Sequence, residues 1–145
     1  MISMMNRLIQ ILPVLMFLVV LCSSQPVSCE EKGSVKTVVY YFHHTIRCPS
    51  CNLIESLTKI AIELGFEKEL QAGDLEFRPV NVDDDETTHF VEDYSLSSQS
   101  VILSRVVDGR EEAWKNLVKV WDFLHQETEF IDYIQEQTRS FLKEF

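Results

Sequence analysis

The spacing of apolar residues along the chain predicts a strand that is followed at once by a helix. Residues 35–42 (VKTVVYYF) are β-branched and aromatic with little alternation, which is typical of a strand buried on both faces. From Pro49 the apolar period becomes about 3.6 residues, and Gly65 is a suitable C-terminal stop for the resulting helix. The predicted buried stripe of this helix consists of Leu53, Leu57, Ile60, Ala61 and Leu64.

A second strand and a short helix are expected next. Residues 75–82 (LEFRPVNV) have the composition of a strand, but Pro79 cannot donate a backbone hydrogen bond, which predicts an edge strand or a bulge. The apolar phase also changes at Pro79, and a bulge there would explain both features. The acidic residues 83–86 are interpreted as the cap and first turn of a helix over 86–94, in preference to a metal site.

The C-terminal half predicts an antiparallel hairpin followed by two helical pieces. Residues 101–107 have a strand pattern, Asp108-Gly109 is a strong hairpin signal, and a short strand is expected over 110–113. The helical pieces are separated near 126–128. This element order predicts an α/β fold with a mixed four-stranded sheet, made of two parallel strands plus an antiparallel hairpin, and flanking helices.

The N-terminus has the pattern of an export signal. Residues 8–21 form a mostly apolar run of 14 residues, which is shorter than the roughly 20 residues that a membrane-spanning helix needs. We predict a signal peptide over 1–24, a charged lead-in over 25–34, and one domain over 35–145 with a C-terminal helical extension. An exported protein, periplasmic or associated with the cell envelope, is therefore expected. Attachment to the membrane through an uncleaved anchor, or through a lipid on Cys22 or Cys29, stays open.

Charge and cysteine content narrow the function further. The formal net charge of −10 at pH 7 disfavours binding to nucleic acid, because an acidic surface repels phosphate backbones. Of the four cysteines, Cys22 is expected to leave with the signal, while Cys48 and Cys51 form a CxxC motif. In an exported protein such a motif is either a disulfide or a dithiol that a partner keeps reduced.

The stretch from 43 to 52 (HHTIRCPSCN) places the two cysteines where redox chemistry is favoured. Cys48 falls where the strand ends and the helix begins, so the free N–H groups and positive dipole end of the helix stabilise a thiolate. Pro49 suits the first helical position, and Arg47 adds an adjacent positive charge. Cys51 lies one turn further and can resolve a mixed disulfide. We assign Cys48 as the nucleophile and Cys51 as the resolving thiol.

Two other interpretations of the motif are a structural staple and a metal site. A disulfide across two residues closes almost no loop and stabilises little. A closed zinc site is disfavoured because it needs four ligands and only two cysteines are firmly placed. Cys48, Cys51 and His44, with Cys29 as an extra thiolate, keep open a site for As(III) or Cu(I). No cofactor is expected.

A CxxC motif between a buried strand and a helix, in this element order, resembles the thioredoxin-like fold, over about Val35 to Leu124. The chain also resembles the ArsF family in the stretches YYFHHTIRCPSCNLIE, FRPVNVD and WKNLVKVWDF. Members of that family are described as subunits of a nitrophenyl compound nitroreductase. The matching positions are Tyr40, Tyr41, Phe42, His43, Arg47, Cys48, Cys51, Ile54, Glu55, Asn81, Asp83 and Trp114. This resemblance implies redox service to a partner, in a nitroreductase or arsenic-resistance system.

Two positions depart from the thioredoxin pattern. The strand before the motif has no Asp or Glu where thioredoxins carry a buried acid, so His43 or His44 is a candidate proton carrier. The position of the thioredoxin cis-proline in the active-site loop falls at Ser100. A trans bond before Ser100 is expected, because a cis bond before a non-proline residue costs about 2.5–4 kcal/mol. We therefore expect a loop suited to a specific partner or to a non-peptide ligand.

Three functional hypotheses follow from the sequence. The first is an exported thiol–disulfide redox protein, a candidate oxidoreductase, that serves a dedicated redox partner protein through Cys48 and Cys51. The second is a dithiol protein that captures a soft metal or metalloid, As(III) or Cu(I). The third is a non-catalytic partner-binding subunit that keeps the fold. The position of the motif between strand and helix favours the first hypothesis.

Overall fold

The computed structural model describes residues 33–145, which contain four strands and four α-helices. The elements are β1 (Val35–His43), α1 (Pro49–Gly65), α2 (Glu67–Ala72), β2 (Leu75–Asn81), α3 (Phe90–Asp93), β3 (Ser100–Val107), β4 (Arg110–Asn116), a 3₁₀ helix (Val118–Val120) and α4 (Glu127–Lys143). None of the helices in this range is long and apolar enough to cross a membrane. The predicted signal peptide, most of the lead-in, Cys22 and Cys29 lie outside the described residues.

The four strands form one mixed sheet in the order β2-β1-β3-β4. β1 pairs in parallel with β2 and antiparallel with β3, and β3 pairs antiparallel with β4. α1 and α2 form the crossover that joins the parallel strands, which a tight turn cannot do. This arrangement confirms the predicted α/β, thioredoxin-like fold class.

One side of the sheet, which we call the helical face, packs against α1 and α4. Val39, Tyr41 and Leu103 from the strands are fully buried in one core with Ile54 of α1 and Phe130 of α4. The other buried members are Leu57, Ala61, Ile62, Phe66, Leu75, Val101, Leu117, Val120, Leu124, Ile134 and Phe141. Two long helices thus cover this side of the sheet.

The opposite side, which we call the aromatic face, has much less helical cover. Because side chains alternate along a strand, Tyr40 and Phe42 point away from the helical face, and they pack with Phe90 and Tyr94. α3, which carries Phe90, is only 4 residues long. Ring contacts therefore supply much of the packing on this side.

The predicted buried stripe of α1 is partly wrong. Leu57 and Ala61 are buried as expected, but Leu53, Ile60 and Leu64 are 38%, 37% and 73% exposed. The buried positions of α1 are Cys51, Ile54, Leu57, Thr58, Ala61 and Ile62. Ile54 and Thr58 share the side of Cys51, since they lie three and seven positions later, and packing against the sheet selects this side. The sequence is apolar on both stripes and could not distinguish them.

β2 is an edge strand, as Pro79 predicted, but the bulge predicted there is wrong. The register of β2 against β1 is continuous from Thr37–Leu75 to His43–Asn81. The apolar phase changes because Leu75 belongs to the core of the helical face, while Val80 belongs to that of the aromatic face. The first half of β2 thus packs into the core of the helical face, and the second half packs into the core of the aromatic face.

The predicted hairpin at Asp108-Gly109 is confirmed. Both residues have positive φ, 51° and 76°, which is the conformation of a two-residue turn between antiparallel strands. β4 extends further than predicted, and the register shifts between Arg105 and Val106, which leaves Glu112 of β4 without an opposite residue.

Candidate functional site

The CxxC motif lies at the N-terminus of α1, after the loop 44–47 that follows β1. Pro49 is the first helical residue and Cys48 is the N-cap, in an extended conformation (φ −83°, ψ 163°). A disulfide joins Cys48 to Cys51. The local sequence therefore places both sulfurs at the positive end of a 17-residue helix.

The two cysteines cap the helix reciprocally. The backbone N–H of Cys51 donates to Cys48 Sγ, and the backbone N–H of Cys48 donates to Cys51 Sγ, each at 3.2 Å. These donors belong to the first turn of a helix, where backbone N–H groups have no partner within the helix. In the disulfide form each sulfur therefore already has a backbone N–H donor, and donors of this kind stabilise thiolates.

Exposure distinguishes the two cysteines. Cys48 is exposed, whereas Cys51 is 2% exposed and belongs to the buried side of α1. A sulfur on another molecule can therefore approach Cys48 and not Cys51. The assignment of Cys48 as nucleophile and Cys51 as resolving thiol stays a prediction, and this geometry is compatible with it.

Tyr41 is the polar side chain that β1 sends towards Cys51, and sequence reasoning missed it. Its hydroxyl donates to the carbonyl oxygen of Cys51 at 2.7 Å, and the residue is fully buried. Burial raises the pKa of Tyr41 to about 12, with a smaller contribution from the Glu55 carboxylate, which Arg47 opposes. The signal was the parity of the strand, because Tyr41 shares its face with Val39 of the helical core.

Arg47 is not free beside Cys48. Its guanidinium forms an ion pair with Glu55 of α1 and a hydrogen bond with His43 Nε2. The side chains of Arg47 and Glu55 are 29% and 23% exposed, so the pair is largely withdrawn from water. Glu55 was not among the predicted site residues. Its sequence signal is its position four residues after Cys51, one turn further on the same side of α1.

His43 is buried, and both of its ring nitrogens have partners. Nδ1 lies 3.0 Å from the carbonyl oxygen of His44, and Nε2 contacts the Arg47 guanidinium. A carbonyl only accepts and a guanidinium only donates, so Nδ1 carries the ring proton and Nε2 accepts. In this arrangement His43 anchors Arg47 and has no nitrogen directed at the disulfide.

His44 points to the other side of the loop. Its Nδ1 lies 2.7 Å from an oxygen of Asp83, whose second oxygen accepts the backbone N–H of Thr45 at 2.8 Å. The hydrogen bonds from His44 and Thr45 lower the pKa of Asp83 to about 2. Asn81 also donates to the Thr45 hydroxyl at 3.0 Å. Asp83 therefore ties down the loop before the motif. It does not cap a helix, since α3 begins only at Phe90.

Ser100 is the first residue of β3 and lies opposite Phe42 of β1. It is buried, and its hydroxyl donates to the carbonyl oxygen of Ser98 at 2.9 Å. The bond before it is trans, as are all peptide bonds within residues 33–145. The carbonyl of Gln99 accepts a hydrogen bond from Trp121 Nε1 at 3.1 Å, so this loop is fixed from the segment after β4.

The predicted metal ligands are only partly brought together. Cys48 and Cys51 are adjacent, but His44 is paired with Asp83, and Cys29 lies outside the described residues. Across residues 33–145, no group of three or more His, Cys, Asp or Glu side chains is placed to hold a metal ion. A shallow pocket beside the two histidines is lined by Phe42, His43, His44, Val82, Val91, Leu96, Ser97, Ser98 and Gln99.

Fold and site together define a protein with a thioredoxin-like fold and a CxxC disulfide. No protein-family model and no curated protein matches the chain, so the resemblance to the ArsF family has no support from these comparisons. Among solved structures, this chain is similar to a thioredoxin from Fasciola hepatica, with 19% sequence identity and a TM-score of 0.37. The match covers 63% of this chain and 81% of that thioredoxin. This chain is also similar to a malarial protein, with 17% sequence identity and a TM-score of 0.37, over 56% of this chain and 80% of that protein. The fold class rests on the order and direction of the strands, because structural similarities with such low identity and TM-score add no argument.

Proposed function

We propose that the protein exchanges thiols and disulfides through Cys48 and Cys51. The observation that carries this proposal is an exposed Cys48 at a helix N-terminus, joined by a disulfide to a buried Cys51. Helix N-termini lower the pKa of cysteine thiols and so supply the thiolate that disulfide exchange requires.

The reaction takes place in two exchanges. A thiolate of the partner attacks Cys48 Sγ, the Cys48–Cys51 bond breaks, and Cys51 leaves as a thiolate that the backbone N–H of Cys48 stabilises. A second partner thiolate then attacks the partner sulfur of the mixed disulfide, and Cys48 leaves as a thiolate. The partner loses two electrons, the protein gains them, and the reverse sequence reduces a partner disulfide.

Export and a dedicated partner belong to the same proposal. The apolar run at 8–21 and the CxxC motif support service outside the cytoplasm. A trans peptide bond at Ser100, in a loop fixed by Trp121, supports a partner different from those of general thioredoxins. The ArsF resemblance supports a nitroreductase or arsenic-resistance system as the source of that partner. Of the two histidines proposed as proton carriers, His43 has both ring nitrogens bonded, so the proposal keeps His44, whose side chain is 51% exposed and would have to leave Asp83 to reach the dithiol.

The test compares two cysteine variants in the host cell. Cys51→Ser leaves the nucleophile without its resolving thiol and is expected to accumulate a mixed disulfide with the partner. Cys48→Ser is expected to accumulate none, and Ser50→Ala serves as the control with both cysteines intact. Iodoacetamide is expected to label reduced Cys48 faster than free cysteine at neutral pH. No trapped species together with ordinary labelling would falsify the proposal.

Capture of As(III) or Cu(I) is a second candidate that would use the same two sulfurs. It is favoured by the adjacency of Cys48 and Cys51 together with the exposure of Cys48. Native mass spectrometry of the reduced protein with one equivalent of arsenite or Cu(I) is expected to show a bound species, which Ser50→Ala keeps and Cys48→Ser loses. If the reduced wild-type protein binds neither ion, this candidate is excluded.

A further inference from the structure

Three polar side chains beside the disulfide contact one another among the described residues. Arg47 precedes Cys48, Glu55 follows Cys51 by one helical turn, and His43 ends β1. Arg47 joins the other two, because its guanidinium contacts both Glu55 Oε2 and His43 Nε2. The nearby carboxylate of Asp83 is occupied by His44 and Thr45, on the other side of the loop.

Tyr41 shows that this set lies close to Cys51. The Tyr41 hydroxyl donates to the Cys51 carbonyl at 2.7 Å, and the charges of Glu55 and Arg47 act in opposite directions on the pKa of that hydroxyl. Both charges therefore act at the buried end of the CxxC motif. The Arg47 charge is compensated because its guanidinium forms an ion pair with the Glu55 carboxylate.

A compensated arginine stabilises a neighbouring thiolate less than a free one does. In the disulfide form no thiolate is present, and Glu55 is the only carboxylate that contacts Arg47 among the described residues. On reduction, Cys48 Sγ becomes a second anion next to Arg47 in the sequence. The guanidinium has five N–H donors, so it can serve two acceptors, and the two anions then compete for it.

We propose that Glu55 is a positioning residue that sets the redox equilibrium of the disulfide by holding Arg47 away from Cys48. This inference rests on the proposed thiol–disulfide exchange and assigns to Glu55 a role that acts only through Arg47. The equilibrium concerned is protein disulfide plus two glutathione thiols, in exchange for protein dithiol plus glutathione disulfide. Two electrons and two protons pass from glutathione to the protein.

The test is a double-mutant cycle on the full-length chain, equilibrated with defined ratios of reduced and oxidised glutathione. Glu55→Gln removes the charge that compensates Arg47, whose guanidinium keeps its contact with His43 and has N–H donors left for the Cys48 thiolate. We expect the equilibrium constant to shift about tenfold towards the dithiol, which is about 30 mV. Arg47→Gln alone is expected to leave the constant nearly unchanged, because Arg47 is held by Glu55 and not by the Cys48 thiolate. A shift towards the disulfide in this variant would contradict the inference, since it would show that the unpaired Glu55 carboxylate acts on the thiolate by its own charge. In the double variant the effect of Glu55→Gln is expected to disappear.

The matched control is Glu63→Gln. Glu63 lies on the same helix with the same charge, and its side chain is exposed and 3.8 Å from Lys59. We expect no shift for Glu63→Gln, and Glu55→Asp is expected to restore most of the wild-type constant. The rate of Cys48 alkylation at pH 7 is expected to rise in Glu55→Gln alone. Should Glu55→Gln fail to fold, Arg47→Lys provides the comparison, since an ammonium cannot bridge two acceptors in the fixed geometry of a guanidinium.

Additive effects in the cycle would overturn the inference, since additivity means that Glu55 acts by its own charge and not through Arg47. A shift as large in Glu63→Gln would overturn it as well. The proposed function fails in a different way, because the wild-type chain would then show no reversible equilibrium with glutathione at all. The two failures are therefore distinguishable in the same titration.

Discussion

The two faces of the sheet are stabilised by different means. The helical face is covered by α1 and α4, each 17 residues long, and its core is mostly aliphatic. The aromatic face is covered by one short helix and by rings in contact, such as Tyr40–Phe42 at 5.3 Å and Phe42–Phe90 at 5.2 Å between centroids. The CxxC disulfide belongs to the helical face, because it lies at the N-terminus of α1, which packs in the core of that face.

The aromatic face is held by a polar network in addition to its rings. Ser104 of β3 is fully buried, and its hydroxyl and the hydroxyl of Tyr94 both donate to one oxygen of Glu111. Burial, followed by the hydrogen bond to Glu111, raises the pKa of Tyr94 well above its usual range. The Glu111 carboxylate of β4 thus links β3 to the ring cluster of this face by hydrogen bonds, whereas the other face is held by aliphatic packing.

The largest expected effect is on the helical face. Ile54→Ala leaves a cavity beneath α1 and is expected to lower the free energy of unfolding by about 3–4 kcal/mol. Leu64→Ala on the same helix is the control, since Leu64 is 73% exposed, and its effect is expected within about 0.5 kcal/mol. Urea denaturation measures both variants. Equal losses would mean that the aliphatic core does not carry this face.

On the aromatic face, Glu111→Ala is expected to destabilise by about 2 kcal/mol, because it leaves the buried Ser104 hydroxyl without an acceptor. Glu112→Ala, one position along the same strand, is the control, with only a 3.6 Å contact to Arg105 to lose. Removing both partners in Ser104→Ala/Glu111→Ala is expected to cost less than Glu111→Ala alone. If the double variant is the less stable one, the network explanation is wrong.

Tyr41→Phe tests the link between the sheet and the redox turn. The loss of the hydrogen bond to the Cys51 carbonyl is expected to cost about 1 kcal/mol. Amide hydrogen exchange is expected to become faster in the first turn of α1 and to stay unchanged in α4. Uniform acceleration across both helices would show a general loss of stability instead of a local contact.

The smallest effect is expected from acid. The pKa of Asp83 falls from 3.8 to about 2 in the folded state, so its contribution is present above about pH 4 and is lost as the pH falls through about 2. NMR signals of His44 and Thr45 are expected to shift over that range, because both residues bond to the Asp83 carboxylate. Asp83→Asn is expected to remove this step, whereas Asp85→Asn at an exposed neighbouring position keeps it. A step that persists in Asp83→Asn would contradict the assignment.

The fold could be predicted because its signals are local. Changes of hydrophobic period located β1, α1 and the hairpin strands, and Asp108-Gly109 located the turn. The buried side of α1 could not be predicted, because Leu53 and Ile54 begin two stripes that are both apolar, and only packing against the sheet chooses between them. The short helix α2 was missed for a similar reason, since it has no buried residues that would produce a pattern.

The site was predictable where it depends on neighbours in sequence and not where it depends on register. The cap position of Cys48 followed from a strand that leads into a Pro-initiated helix. The partners of Arg47 and His44 did not, because they depend on the turn of α1 and on the alignment of β2, which brings Asp83 beside the loop. An acidic chain offers many carboxylates that could pair with Arg47 or His44, and only the three-dimensional structure shows which carboxylate each side chain contacts.

Pro79 and Glu112 have a further consequence for how this sheet meets other molecules. The N–H of Thr37 in β1 donates to the carbonyl of Asp74, and the N–H of Val82 donates to the carbonyl of His43 in β1. Even-numbered residues along β2 therefore bond towards β1, and odd-numbered Pro79 lacks its N–H on the open side of the strand. At the other edge, the charged Glu112 of β4 has no opposite residue in β3, because the register shifts there. Both edges are thus poor templates for a strand of another chain, which protects the protein from aggregation by strand addition. The partner that we propose would therefore approach the end of the sheet, where Cys48 is exposed.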